Sequence, residues 1–160
     1  KSFNWRGYGA LTMKVLIVED DSYKYREIEA IVQGCSRSFQ IEHTDNVYQT
    51  INYLKKNKPD RIILDMSLPS HPGRPGEGNP LPMPDGGIEV ILELRSLGCS
   101  SIPIIVITQY PGIEIESSYY SIDAAKAKIG SLYGIENLFV AKHSSEDSDW
   151  EVTLQEFLEL

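Results

Sequence analysis

Asp65 stands alone at the end of a short apolar run, Ile62-Ile63-Leu64, and turn chemistry follows at Ser67-Leu68-Pro69. A second run, Val15 to Val18, ends in three carboxylates, Glu19, Asp20 and Asp21. A third, beginning at Ile102, ends in the hydroxyl of Thr108, and a fourth, Leu138 to Ala141, ends in Lys142. Clustered carboxylates make a hard-oxygen site suited to Mg²⁺ (or Mn²⁺) with several waters retained. A hydroxyl and an ammonium opposite them can hold the oxygens of a phosphoryl group, whose charge metal and ammonium together neutralise. One carboxylate is then the acceptor, forming an acyl phosphate. Asp65 is the candidate because it is solitary; Glu19 and Asp20 are the candidate metal ligands. Each polar residue alone could simply end a strand, but four strands ending this way favour a site. The repulsion among residues 19–21 could be relieved by a cation or by solvation.

The elements that must position these groups follow from periodicity. Short apolar runs rich in β-branched residues suit strands buried on both faces. Phe39–Thr44 alternates, as a strand nearer a sheet edge does. Between the runs lie amphipathic helices. The first is capped by Ser22, carries Ile28, Ile31 and Val32 on one face, and stops at Gly34. The second opens on an Asn46/Gln49 capping box and lines Val47, Ile51 and Leu54. The third covers Ile88 to Leu97, with Ile88, Ile91 and Leu92 on one face. The fourth covers Ile122 to Tyr133. The last opens on a Ser148/Glu151 capping box and aligns Trp150, Leu154, Phe157 and Leu158 toward the core. Strand-helix alternation five times over implies a parallel sheet covered on both faces, with all strand carboxyl ends at one edge. Residues 70–84 are dense in Pro and Gly and form neither helix nor central strand. They read as a surface loop or as a lid beside Asp65, and their glycines lack the context of a phosphate loop. Residues 110–118 read as a second long connection.

The chain has 160 residues and a net charge of −8, with 23 acidic and 15 basic residues. One domain, residues 13–160, is expected, preceded by an N-terminal extension or expression remnant at 1–12. The acidic balance argues against a nucleic-acid surface, which needs clustered Lys and Arg. No run approaches a membrane span. Cys35 and Cys99 lack metal-site spacing and are expected to be buried thiols in a reducing cytoplasm. The histidines are scattered.

From Met13 onward the chain resembles the receiver domain of two-component response regulators, the CheY-like fold. The motifs that carry the resemblance are VLIVEDD at 15–21, PDRIILDMSLP at 59–69, MPDGG at 83–87, PIIVIT at 103–108 and LFVAK at 138–142. The resemblance implies a flavodoxin-like three-layer (βα)5 α/β fold whose five-stranded parallel sheet has the order 2-1-3-4-5. It implies Asp65 as phosphoacceptor, and Glu19, Asp20, Asp65 and the Ser67 backbone carbonyl as the metal site, with Asp21 pointing away. Thr108 and Lys142 become the phosphoryl-binding and switch pair, and Phe139 the aromatic that swings with the hydroxyl. Met66, Gln109 and Tyr110 are candidate modulators, Tyr110 by screening water. Implied partners are a sensor histidine kinase or phosphotransfer protein and a downstream protein target, with the chain a monomer or a phosphorylation-dependent dimer. Such a domain is not an enzyme beyond its own phosphorylation and dephosphorylation.

The chain departs from the family pattern at His143, where a proline usually follows the lysine. A non-proline cis bond costs about 3 kcal/mol, so the Lys142–His143 bond is expected to be trans. Gln109 stands where a small residue is usual. Segments 70–84 and 110–118 are insertions flanking the site. The leading reading is a phosphorylation-activated switch. The alternative is a phosphorylation-independent pseudo-receiver acting as a binding module, whose mark is loss of an acceptor or metal acid; none is lost here. A phosphohydrolase with Asp65 as nucleophile, of the haloacid-dehalogenase type, would carry a second Asp where Ser67 stands. The chain reads either as a single-domain regulator acting through protein contacts or as a piece of a longer protein.

Overall fold

A computed structural model describes residues 11–160. The predicted extension at 1–12 therefore falls mostly outside the described residues.

Five apolar segments assemble into one parallel sheet: β1 (Met13–Val18), β2 (Phe39–Thr44), β3 (Arg61–Leu64), β4 (Ile104–Thr108) and, last in chain order, β7 (Leu138–Lys142). Their spatial order is β2-β1-β3-β4-β7. Counting only these five, that is the 2-1-3-4-5 order expected. β1, β3 and β4 are interior and buried nearly throughout. The alternating Phe39–Thr44 segment lies at one margin and β7 at the other.

Five helices cover the sheet: α1 (Ser22–Gly34), α2 (Val47–Lys56), α3 (Gly86–Ser96), α4 (Ile122–Tyr133) and α5 (Asp149–Leu158). Alternation along each strand divides the core. Leu16, Ile62, Leu64, Ile104 and Val106 pack with α2, α3 and α4. Val15, Ile17, Ile63, Ile105 and Ile107 pack with α1 and α5, including Trp150, Leu154 and Phe157. Each layer is thus tied to the sheet by buried aliphatic surface, the dominant favourable term in folding.

Several local expectations are corrected. Residues 110–118 are not an irregular connection. Together with residues 119–121 they build an antiparallel hairpin, β5 (Gly112–Ile115) and β6 (Ser118–Ser121). Its tight turn places Glu116 and Ser117 at positive φ. The cap of α1 is Asp21 rather than Ser22: its side chain accepts from the backbone N–H groups of Tyr23 and Lys24. That helix does end at Gly34 as expected, with Cys35 as its cap in extended conformation. Ser148 offers α5 no side-chain capping bond. Leu92 is exposed, and Val90 and Leu94 take the buried positions of α3. Ile31 and Ile51 are only half-buried, while Lys24 and Thr50 occupy buried positions on their helices. Cys35 and Cys99 are half-buried rather than buried. Asn46 does cap α2, accepting from the Gln49 N–H, and Trp150 is buried in the core.

The Pro/Gly-rich segment leaves and re-enters the fold at one point. Leu68 and Met83 exchange backbone hydrogen bonds of 3.1 and 2.8 Å across its base. The N–H groups of Val47 and Tyr48, at the start of α2, donate to the carbonyls of Pro69 and Ser70. The loop is therefore clamped at its base, just after β3 and Asp65.

Candidate functional site

Parallel strands bring their carboxyl ends to one edge, and the acids meet there. Glu19 follows β1, and its N–H donates to the Thr44 carbonyl of β2. Asp65 follows β3, and its N–H donates to the Val18 carbonyl of β1. These ladder bonds fix both backbones. Carboxylate oxygens of Glu19, Asp20 and Asp65 lie within 4.8 Å of one another. Glu19 and Asp65 are buried, and Asp20 opens toward solvent. Asp21 points elsewhere, occupied with capping α1.

The N-terminus of α3 packs hard against the loop that follows β3. The Gly87 N–H donates to the Met66 carbonyl at 2.9 Å. A Cβ on Gly87 would meet the Asp65 carbonyl oxygen at 2.6 Å, and one on Gly86 would meet Leu68 at 2.9 Å. Glycine is needed at both for the backbones to approach this closely.

The positive group among these acids is Lys24, from the first turn of α1. Its Nζ lies 2.7 Å from Glu19 Oε2 and 3.2 Å from Asp65 Oδ1. It also donates to the Ile107 carbonyl of β4 at 2.6 Å. The residue is 2 % exposed. Both acidic oxygens are buried, and this ammonium faces them. Burial pushes the Glu19 carboxyl up to about 7, against the downward pull of Lys24; the nearby Asp65 charge adds to the rise. Burial also raises Asp65, opposed first by Lys24 and then by the backbone N–H groups of Ser67 and Met66. Asp20 is raised by burial and by the Asp65 charge. A site that disfavours its own negative charge this strongly suits a divalent cation.

Thr108 is fully buried beside this cluster, and its Oγ1 accepts from the Tyr110 N–H at 3.2 Å. It forms the wall of a pocket of about 280 Å³ with Ser67, Met66 and Tyr110, closed by Pro82 and Pro84 of the inserted loop and by Gly112, Glu114 and Tyr119 of the hairpin. Met66 is buried, while Gln109 and Tyr110 are exposed. Phe139 is half-buried on β7, edge-on to Phe157 with ring centroids 5.6 Å apart.

Lys142 is not drawn into the cluster. It pairs in register with Thr108, its side chain is exposed, and it makes no ion pair among the described residues. The peptide bond to His143 is trans, as expected. His143 turns instead to α1, with Nε2 2.6 Å from Glu27 Oε2 and its ring 4.7 Å from that of Trp150.

Lys24 is the one site residue that the motif reading missed. Its signal was present: Lys24, Ile28 and Val32 recur at helical spacing on the buried face of α1. A lysine one turn ahead of an apolar stripe, just after the carboxylate-terminated strand, is pointed at that strand's end.

A parallel sheet in this order, with acids gathered at the end of its first and third strands, defines the receiver class, and the chain belongs to the response-regulator family. It is 40% identical over 146 residues to the Detocs response regulatory protein DtcB of Vibrio alginolyticus, a match covering 90% of this chain and 98% of that one. An uncharacterized protein, y4jR of Sinorhizobium fredii (strain NBRC 101917 / NGR234), is 23% identical over 146 residues, covering 89% of this chain and 95% of its own. No family model matches. Among solved structures, the phosphorylated cyanobacterial phytochrome response regulator RcpA superposes with a TM-score of 0.64 at 18% identity, over 92% of each chain. The Mn²⁺-bound form of response regulator Rcp1 gives 0.62 at 17% identity over 90% of each. A sensor-kinase receiver domain from Pseudomonas aeruginosa PAO1, with a magnesium ion in its active site cleft, gives 0.59 at 17% identity, over 93% of this chain and 99% of that one.

Proposed function

We propose that the chain is a phosphorylation-activated receiver that accepts a phosphoryl group on Asp65 and thereby switches a protein-binding surface. The observation that carries this reading is the convergence of the Glu19, Asp20 and Asp65 carboxylates at the strand ends, two of them buried. Such a set fits a small divalent cation, Mg²⁺ or Mn²⁺, held by the three acids with the Ser67 carbonyl beside them. Bound there, the cation would offset the negative charge of the acids and of the incoming group.

The chain's own groups have distinct tasks. Asp65 is held by its N–H bond to Val18, so its carboxylate can be aimed at the phosphorus of a donor. A carboxylate oxygen of Asp65 forms the new P–O bond as the bond from phosphorus to the donor breaks. The departing group keeps that electron pair and takes up a proton. Thr108 lines the pocket, and its hydroxyl is the group that would donate to a phosphoryl oxygen. Phe139, on the strand paired to Thr108's own, is the aromatic expected to respond. The donor is a histidine kinase or phosphotransfer protein, and the readout is a downstream protein target.

The test is incubation with Mg²⁺ and a small acyl phosphate, followed by intact-mass measurement, with Asp65→Asn alongside. Gain of one phosphoryl group, absent in the variant and with EDTA, supports the reading. Absence of any adduct from both the small donor and a panel of phosphorylated kinases would instead favour a phosphorylation-independent binding module.

A further inference from the structure

We infer that Lys24 is a built-in counter-cation of the acid cluster, which a divalent cation must displace from Glu19 and Asp65, so that this lysine sets how tightly the site takes metal. The inference rests on the reading of the three acids as a divalent-cation site and names the group that opposes the ion there.

The ammonium is fully engaged inside the chain. Its N–H donors face three acceptors: Glu19 Oε2 at 2.7 Å, Asp65 Oδ1 at 3.2 Å and the Ile107 carbonyl of β4 at 2.6 Å. An ammonium has three donors, so none is left over for another ligand. A lysine is costly to bury and persists there only when paired and hydrogen-bonded. Both conditions are met, and two of the three partners are the acids proposed to hold the ion. The side chain is also pre-aimed. Asp21 Oδ1 accepts the Lys24 backbone N–H at 2.8 Å, and Ile28 and Val32 seat the same helix face in the core.

The carboxylates are engaged as well. Glu19 Oε1 accepts the Asp21 N–H at 3.0 Å, so both oxygens of Glu19 already have a partner in the chain. A divalent cation taking Glu19 and Asp65 would meet a like charge in contact with both. Repulsion between like charges is weakly screened in a buried site. The ion therefore gains its full attraction to the acids only as the ammonium withdraws. Asp20 makes no ion pair with Lys24 among the described residues and opens toward solvent, so it is the acid that an arriving ion reaches first.

The withdrawing ammonium keeps one anchor, because the Ile107 carbonyl lies outside the acid cluster. Lys142 has a separate place. It pairs in register with Thr108, and strand alternation sets the two side chains on the same side, toward the pocket proposed for the phosphoryl group. The two lysines thus divide the work: Lys24 balances the acids before the ion arrives, and Lys142 stands where the phosphoryl group is received.

The test measures Mg²⁺ affinity by calorimetry in the native protein, Lys24→Met and Lys24→Gln, at about pH 8 so that protons do not compete for the carboxylates. Lys55→Met, at an exposed position of α2, controls for the change of net charge. Both Lys24 variants are expected to bind Mg²⁺ tighter by about tenfold or more, and Lys55→Met within about twofold of native. Without metal the Lys24 variants are expected to melt lower than native, since two buried carboxylates lose their partner. Mg²⁺ should then raise their melting temperature by more than it raises that of the native protein. A further measurement needs no variant: in native ¹⁵N-lysine protein the buried Lys24 ammonium is expected to exchange its protons slowly without metal and faster with Mg²⁺. Unchanged or weaker Mg²⁺ affinity in the folded Lys24 variants, or proton exchange that stays slow with Mg²⁺ bound, would overturn the inference and leave the acids as a metal site. Binding seen in the variants alone would support it, with the ammonium standing in for the ion. No Mg²⁺ binding in the native protein or in either variant would overturn both readings together.

Discussion

His143 Nε2 lies 2.6 Å from Glu27 Oε2, joining the segment after β7 to the middle of α1. The ring also rests against Trp150. His143→Ala removes both contacts and is expected to destabilise the fold by about 1–2 kcal/mol. Urea unfolding checks this. An unchanged midpoint would mean that neither contact contributes to stability.

Gly87 allows α3 to touch the loop after β3. In Gly87→Ala the new methyl would lie 2.6 Å from the Asp65 carbonyl oxygen, and that backbone cannot yield without moving Asp65. A loss of about 1–3 kcal/mol is expected, together with slower phosphoryl uptake. Gly130→Ala is the control, since the nearest atom there is 3.5 Å away and the position is helical.

The two acidic neighbours at 20 and 21 should fail differently. Asp21→Ala removes the cap of α1 and should cost about 1 kcal/mol, with Mg²⁺ affinity little changed. Asp20→Ala should leave stability nearly intact and weaken Mg²⁺ binding. Ser148→Ala, at a cap position without a side-chain bond, is expected to be close to neutral. Melting with and without Mg²⁺ separates the three.

The Glu19 carboxyl sits near 7 in the fold, against an ordinary value of 4.5. Between those values the folded protein keeps a proton that the unfolded chain has released, so this group's contribution to stability falls as pH rises through the window. A divalent cation binds the deprotonated form, so Mg²⁺ binding should release a proton and tighten as pH rises. The Mg²⁺-induced rise in melting temperature is expected to be larger at about pH 8 than at about pH 6. A rise independent of pH would remove Glu19 as a ligand.

The parallel sheet was legible because buried runs such as Ile62–Leu64 and Val15–Val18 are too short and too β-branched for anything but central strands, while its order came from the resemblance to receiver domains. The convergence of Glu19 and Asp65 followed from parallel pairing. The hairpin at 112–121 was not legible, since Gly112-Ile113-Glu114-Ile115 is brief and its turn uses Glu116 and Ser117 where glycine or asparagine would announce it. Lys24 escaped because a lysine on a helix is ordinarily solvated. Only its register with Ile28 and Val32 gave it away. Lys142 carried the motif, yet its fate depends on where β7 ends and on what His143 grips, and no local pattern encodes either.

Among the described residues the sheet ends at β2 and β7, and neither margin is an inviting template. Gln40 and His43 are exposed along β2, and Lys142 is exposed at the end of β7. A strand added from another molecule would have to desolvate these groups, a penalty that guards against edge-to-edge polymerisation. That leaves the helical faces and the loops at the carboxyl edge, beside Asp65, as the surfaces better suited to meet another protein.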